Sequence, residues 1–367
     1  MLHCTMKFRL LFGAAALMIA VSAATAYADS AILDVVDPVN YEANDVMTGY
    51  SVGSYDVSGS TAAAWAGAWP DFSLKLFDLQ SGTVAADLGT PSYGVDYYNS
   101  FTTFDPSGNS VWIGFTVLGN VDDRIYQVDL SGGGWTQRAT LPSNFDLEFS
   151  GGDAFVSGLN STGWGDPNRI WLLDTSGAGS HVEIAQVGGV SAGLAFDADG
   201  TLYYGTANAT VDEALLRYSA SQVEGAKAGS PLSRADAEVL SGLPGGVDYP
   251  QGAAISDVAV DAAGNVLFNV NQVDTSDYKS DLSTVALWNG TPGSGQNFTT
   301  LTTGVIPGGQ WHAVLAAEGD ITDGGKFYQG DFYAGGVAEV SHVPEPSTLA
   351  LLAAGAVGVL LWRRRRG

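Results

Sequence analysis

Phe196-Asp197-Ala198-Asp199-Gly200-Thr201-Leu202-Tyr203-Tyr204 reads as a strand end, a tight turn and the start of a second strand. Asp offers the turn a side-chain acceptor, Gly supplies a residue at positive φ, and the apolar residues that follow alternate as a strand requires. The construction recurs in Phe104-Asp105-Pro106-Ser107-Gly108-Asn109-Ser110-Val111-Trp112-Ile113 and in Val260-Asp261-Ala262-Ala263-Gly264-Asn265-Val266-Leu267-Phe268. Phe149-Ser150-Gly151-Gly152-Asp153-Ala154-Phe155-Val156 is a shortened copy.

A further strand trails each hairpin. Ile125-Tyr126-Gln127-Val128-Asp129 and Ile170-Trp171-Leu172-Leu173-Asp174 each begin 21 residues after the Phe that opens their unit. Leu215-Leu216-Arg217-Tyr218-Ser219, Val285-Ala286-Leu287-Trp288-Asn289 and Leu74-Lys75-Leu76-Phe77-Asp78 hold the same place in other units. The unit length is 45 residues from Phe104 to Phe149, 47 from Phe149 to Phe196 and 64 from Phe196 to Val260. A period of that size fits a four-stranded propeller blade, with insertions in later units. The reading is therefore all-β: a β-propeller-like body of five or six blades, with a β-sandwich as the alternative. Residues 327–340 read as a final pair of strands, and an early strand pairing with the late one would close the ring. Residues 230–240, with Ser230, Pro231 and helical spacing, read as one short surface helix.

Composition agrees. The chain has a net charge of −24, and residues 29–342 hold 38 acidic against 9 basic residues, 30 of the acids being Asp. Asp favours turns and caps where Glu favours helices. So negative a surface disfavours nucleic acid and anionic membrane as partners.

Both ends carry processing patterns. Lys7 and Arg9 precede an apolar run at residues 10–21, and Ala26-Tyr27-Ala28 is a small-x-small cleavage site before Asp29. Residues 1–28 thus read as a signal peptide. The one cysteine, Cys4, lies inside it, so the body at residues 29–342 would hold no disulfide and no thiolate ligand. At the other end, Val343, Pro344, Glu345 and Pro346 precede an apolar run at residues 349–362, followed by Arg363, Arg364, Arg365 and Arg366. As a helix, that 14-residue run spans about 21 Å, short for a ~30 Å hydrocarbon core unless flanking residues extend it. The arginines hold their end in the cytoplasm and leave the body outside.

The tail resembles the PEP-CTERM sorting signal of exported bacterial proteins. That resemblance implies recognition by a membrane-embedded exosortase, removal of the transmembrane segment 349–362, and export across the inner membrane of a Gram-negative-type bacterium. Residues 343–367 would be the sorting signal, anchored in the membrane until processing, and the cell surface or extracellular matrix the destination. The family is associated with exopolysaccharide and biofilm matrix, which makes exopolysaccharide a candidate partner. The hairpin blocks resemble the repeats of NHL and lactonase-like propellers, which put acidic and amide residues around a central channel, often on a metal. No such residue maps onto this sequence, because the similarity stops at the turns.

Nothing in the sequence assembles a catalytic centre, a metal site or a cofactor site. Gly189-Val190-Ser191-Ala192-Gly193 matches a nucleophile elbow in form, but strand and hairpin follow where the elbow needs a helix. Trp311-His312 could sit at a pocket mouth or pack in the core. Asp197-Ala198-Asp199-Gly200 could begin a calcium loop, but the later ligands are missing and an Asx-turn is the favoured reading. Asp122-Asp123 and Asp320-Ile321-Thr322-Asp323 are open in the same way. Trp65 and Trp69 are the best candidates for exposed sugar-stacking rings. Two functions remain: an exported binding or structural propeller at the surface or matrix, and a secreted hydrolase of lactonase-like type working at a central channel.

Overall fold

The computed structural model describes residues 33–343 except 69, 93–97, 117–122, 160–166, 177–178, 189–191, 207–213, 244–252, 275–278, 305–312 and 332–335. The strands form six separate sheets, antiparallel except for one short parallel edge strand on the third. Blade 1 is Ser51–Ser58, Thr61–Ala68, Asp71–Asp78 and Thr83–Gly89, in that order from the centre outwards. Blade 2 is Tyr98–Phe104, Ser110–Thr116, Arg124–Asp129 and Trp135–Thr140. Blade 3 is Asp146–Ser150, Asp153–Gly158, Arg169–Leu173 and His181–Gln186. Blade 4 is Leu194–Phe196, Leu202–Gly205, Ala214–Tyr218 and Glu238–Gly242. Blade 5 runs from Val258–Val260 through Val266–Asp274 and Lys279–Trp288 to Phe298–Gly304.

Blade 6 closes the ring. Its first three strands, Ala313–Glu318, Lys326–Asp331 and Val337–His342, come from the end of the body, and its outermost strand, Tyr41–Val46, comes from the beginning. Tyr41 pairs with His342 and Val46 with Val337, antiparallel and without a bulge. The innermost strands touch one another in sequence around the axis, blade 6 against blade 1 included. This is a six-bladed propeller with a central channel, and the sandwich alternative falls.

The core follows from that geometry. Each blade buries both faces against its neighbours, so the apolar side chains gather in six clusters, one per junction. Phe155, Ile170, Leu202, Tyr204 and Tyr218 fill the junction of blades 3 and 4. Met47, Tyr55, Phe77, Tyr328 and Val337 fill the closing junction of blades 6 and 1. The strand Thr61–Ala68 has Ala at five of its eight positions, with six consecutive buried residues. Such small side chains let adjacent blades approach closely near the narrow centre.

Two sequence expectations are corrected. The single α-helix among the described residues is Ala220–Lys227, not residues 230–240. Ser219 caps it in a box with Gln222, and Lys227 Nζ anchors it to Asp153 at 2.7 Å. Downstream, Leu232–Ser233 adds parallel to the edge of blade 3 and Glu238–Gly242 becomes the fourth strand of blade 4. Strand pairing overrides the helical spacing there, and only a 3-10 turn at Arg234–Asp236 remains. Trp65 is not exposed: it keeps 3% of its surface and packs edge-on against Phe115 at 5.0 Å between blades 1 and 2.

Candidate functional site at the central channel

An innermost strand has a free edge towards the axis, and its N–H groups need acceptors there. Three aspartates supply them. Asp56 Oδ2 accepts the N–H of Phe104 at 2.7 Å, joining blade 1 to blade 2. Asp146 Oδ2 accepts Leu194 N–H at 2.7 Å, joining blade 3 to blade 4. Asp257 Oδ2 accepts Leu315 N–H at 2.6 Å, joining blade 5 to blade 6. In each case Oδ1 accepts the N–H of the next residue in its own strand: Val57 at 2.7 Å, Leu147 at 2.8 Å and Val258 at 2.8 Å.

The alternate junctions use other means. Thr103 Oγ1 donates to Leu147 O at 2.8 Å between blades 2 and 3. Gly193 N–H donates to Ser256 O at 2.8 Å between blades 4 and 5. Gly59 N–H donates to Glu318 Oε1 at 2.6 Å between blades 1 and 6. Gly193 must be glycine for this approach, since a Cβ there would lie 2.4 Å from the Cα of Asp257. Behind Asp257, Asn269 accepts its N–H at 2.6 Å and in turn donates to Ser256 Oγ at 2.6 Å.

A fourth acid, Glu148, lies two residues beyond Asp146 on the same face of the innermost strand of blade 3. These four side chains are enclosed by the ring yet keep a little accessible surface, as a narrow channel demands. Burial pushes Asp56 up to about 6, with the Glu318 charge adding and the two N–H bonds opposing. Burial pushes Asp146 up to about 7, and the Asp56 charge adds to it. Glu148 is held well above the ordinary range by burial and then by the charges of Asp146, Asp56 and Asp257. Asp257 is raised well above it by burial and by Asp146. Near neutral pH the channel therefore holds exchangeable protons on carboxyl groups, the state required of a general acid or base. Among the described residues no three His, Cys, Asp or Glu side chains converge closely enough to hold a metal ion.

The aspartates of the turns behave as Asx-turn residues. Asp197 Oδ1 accepts the N–H groups of Asp199 at 3.0 Å and Thr201 at 2.9 Å, with Gly200 at φ 85°. Asp320 Oδ1 likewise accepts Thr322 N–H at 2.9 Å. Asp123 is fully buried and accepts Thr116 Oγ1 and Ser143 N–H. At the turn end of blade 2, a polar groove of about 740 Å³ is lined by Asn109, Ser110, Gln127, Asp129, Thr136 and Arg138, among others. Gln127 Oε1 holds the Arg138 guanidinium through two bonds, 2.9 and 2.6 Å, and Ser110 Oγ orients Gln127 at 2.7 Å.

Several sequence candidates lie outside the described residues: Ala26, Ala28, Trp69, Asp122, Ser191, Trp311, His312, Pro344, Glu345, Pro346, Arg363, Arg364, Arg365 and Arg366, with the apolar run 349–362. Among the described residues, no helix is long and apolar enough to cross a membrane. Val343 is described, and its N–H donates to Asn40 O at 2.7 Å. The channel acids and the groove were missed by sequence reasoning. The available signal was an acid placed before an apolar residue in alternate inner strands: Asp56-Val57, Asp146-Leu147 and Asp257-Val258.

Fold and channel define a six-bladed β-propeller. Residues 342–366 match the PEP-CTERM protein-sorting motif. That motif implies an exported protein, processed by exosortase and sorted to the cell surface of a Gram-negative bacterium. A search among curated proteins finds no match. Of the solved structures, a gluconolactonase from Xanthomonas campestris is similar, with 12% identity over 86% of this chain and 96% of that one, at a TM-score of 0.54. The PQQ-bound aldose sugar dehydrogenase of Streptomyces coelicolor is similar at 14% identity over 83% of this chain and 99% of that one, with a TM-score of 0.53. At such identities the likeness is one of fold.

Proposed function

We propose that the chain is an exported propeller, delivered to the cell surface or matrix by its tail, where it serves as a binding module for exopolysaccharide. The observation that carries this reading is the position of the sorting motif. The last strand ends at His342, and the matched motif begins at that residue. All six blades are complete before it, so removing residues beyond 343 costs the described propeller no strand. In this reading residues 1–28 are a signal peptide removed at Ala26-Tyr27-Ala28. Val343, Pro344, Glu345 and Pro346 are presented to exosortase, the run 349–362 anchors the chain transiently, and Arg363 to Arg366 stop it at the inner side.

The groove on blade 2 is the binding surface in this account. Arg138 stands out there: Gln127, a neutral amide, holds it, whereas Lys75, Arg169, Arg217, Lys227 and Lys326 pair with carboxylates. A guanidinium fixed on one side by an amide leaves its remaining N–H groups for a carboxylate of an acidic sugar. Asn109, Asp129 and Thr136 offer partners for its hydroxyls. The test is sedimentation of the purified body with an acidic exopolysaccharide. Binding is expected, and Arg138→Ala should weaken it about tenfold, the loss of one charge-assisted hydrogen bond. Absence of binding, or binding untouched by Arg138→Ala, contradicts the assignment. Deleting residues 343–367 should leave export intact and abolish surface delivery.

The channel supports a second reading, hydrolysis by the raised carboxyl groups acting as general acid and base. Turnover of a lactone or ester that is lost in Asp146→Asn and Glu148→Gln would establish it.

A further inference from the structure

All the Asp/Gly turns described above lie on one face of the propeller. First strands run towards it and second strands away, and third strands run towards it again. That face therefore carries Asp105, Asp197, Asp261 and Asp320 in the inner turns and Asp78, Asp129 and Asp174 at the ends of third strands. Val337–His342 is also a third strand of its blade, so the chain leaves the propeller on this same face.

The exit is clamped. His342 N–H donates to Gly325 O at 3.0 Å, Gly324 N–H donates to His342 Nδ1 at 3.2 Å, and the imidazole stands edge-on to Tyr41 at 5.3 Å. Val343 N–H is tied to Asn40 O. Only five residues then separate Val343 from the apolar run that begins at Leu349, six steps along the chain with a reach of at most about 21 Å at ~3.5 Å per residue. A six-residue strand is itself about 20 Å long. The leash would be spent in passing the thickness of the blade, and cannot also turn the opposite face to the membrane.

We infer that, while its tail is in place, the propeller stands with the Asp/Gly turn face towards the bilayer and the opposite mouth of its channel facing outwards. This rests on the reading of residues 349–362 as a membrane anchor. The exposed Asp78, Asp129, Asp199 and Asp323 on the near face are repelled by anionic headgroups. The body therefore stands off and leaves Pro344-Glu345-Pro346 in the gap. The blade 2 groove, built on the Ser107-Gly108-Asn109 turn, also faces the bilayer and becomes fully available only after the tail is cut.

The experiment uses the full chain in a Cys4→Ser background, with Glu345→Ala to retain the tail. Ser107→Cys marks the near face and Ser92→Cys the far one; both serines are exposed. On membrane-held protein, a bulky polyethylene-glycol maleimide should label Ser92→Cys several-fold faster than Ser107→Cys. In detergent the two rates should converge. Equal rates on membrane-held protein overturn the orientation and leave the anchor reading standing. Protein that fails to sediment with membranes overturns the anchor reading, and the orientation with it.

Discussion

The channel aspartates and the turn aspartates make nearly the same bonds and end with opposite acidities. In the turns, Asp129 accepts the N–H and hydroxyl of Ser131, Asp174 those of Ser176 together with the Ser180 hydroxyl, and Asp320 those of Thr322; each is held below the ordinary carboxylate range by these bonds. Asp105 is lowered too: burial pushes it up, and bonds from Ser107 and Trp112 outweigh that push. In the channel, Asp56 and Asp146 accept two N–H groups apiece, and burial still wins. A hydrogen bond steadies a carboxylate only against the desolvation it suffers. In the turns, open to water, that cost is small; in a ring lined by four acids it is large. The turn acids therefore build the blades, and the channel acids store protons where blades meet.

The largest effect expected is steric. Gly193→Ala drives a Cβ to 2.4 Å from the backbone of Asp257, at a junction with little room to yield. Thermal unfolding should show a loss of about 3 kcal/mol. Gly108→Ala in a turn has nothing within 4 Å and only its φ of 70° to pay for, about 1 kcal/mol. Equal losses would erase the distinction between the two regions.

Next comes pH. The folded values of about 6 for Asp56 and about 7 for Asp146 lie above the ordinary 3.8, so the native state holds protons that the unfolded chain has released. Their stabilising contribution is complete below about pH 4 and is lost as pH rises through 6 and 7. Between pH 5 and pH 8 the protein should lose about 2 kcal/mol, discounted for the partial solvent access of these groups. The lowered turn acids act oppositely: their contribution is present above pH 4 and lost as pH falls further. Asp146→Asn with Glu148→Gln should flatten the upper limb and leave the lower one. An upper limb unchanged by that pair would show that the channel does not store the protons.

The smallest effect belongs to a single turn. Asp197→Ala removes the acceptor for Asp199 and Thr201 N–H and should cost about 1 kcal/mol without altering the upper pH limb. A change in that limb would join two regions described here as independent.

The contrast also explains what could be read from the sequence. Turn chemistry is local, so Asp105, Asp197 and Asp261 with their glycines announced the hairpins, the blade period and the propeller. The third strands were legible because Leu74, Ile125, Ile170, Leu215 and Val285 open clear apolar runs. Blade 1 hid its two inner strands, since Thr61–Ala68 is buried on both faces and shows no alternation. Trp65 therefore passed for an exposed ring. The channel acids were illegible for a different reason. Asp146-Leu147-Glu148-Phe149 alternates like any half-exposed strand, and only closure of the ring turns its polar face to an enclosed channel. The helix was misplaced because pairing partners for residues 232–242 lie at 185–186 and 214–217, beyond local spacing.

The account as a whole depends on a propeller that is complete at His342 and a tail that is dispensable after it. The intact mass of the exported protein tests this directly. The expected mass is that of a chain beginning at Asp29 and lacking residues 349–367. A mature protein that retains its apolar run and its four arginines would contradict the account.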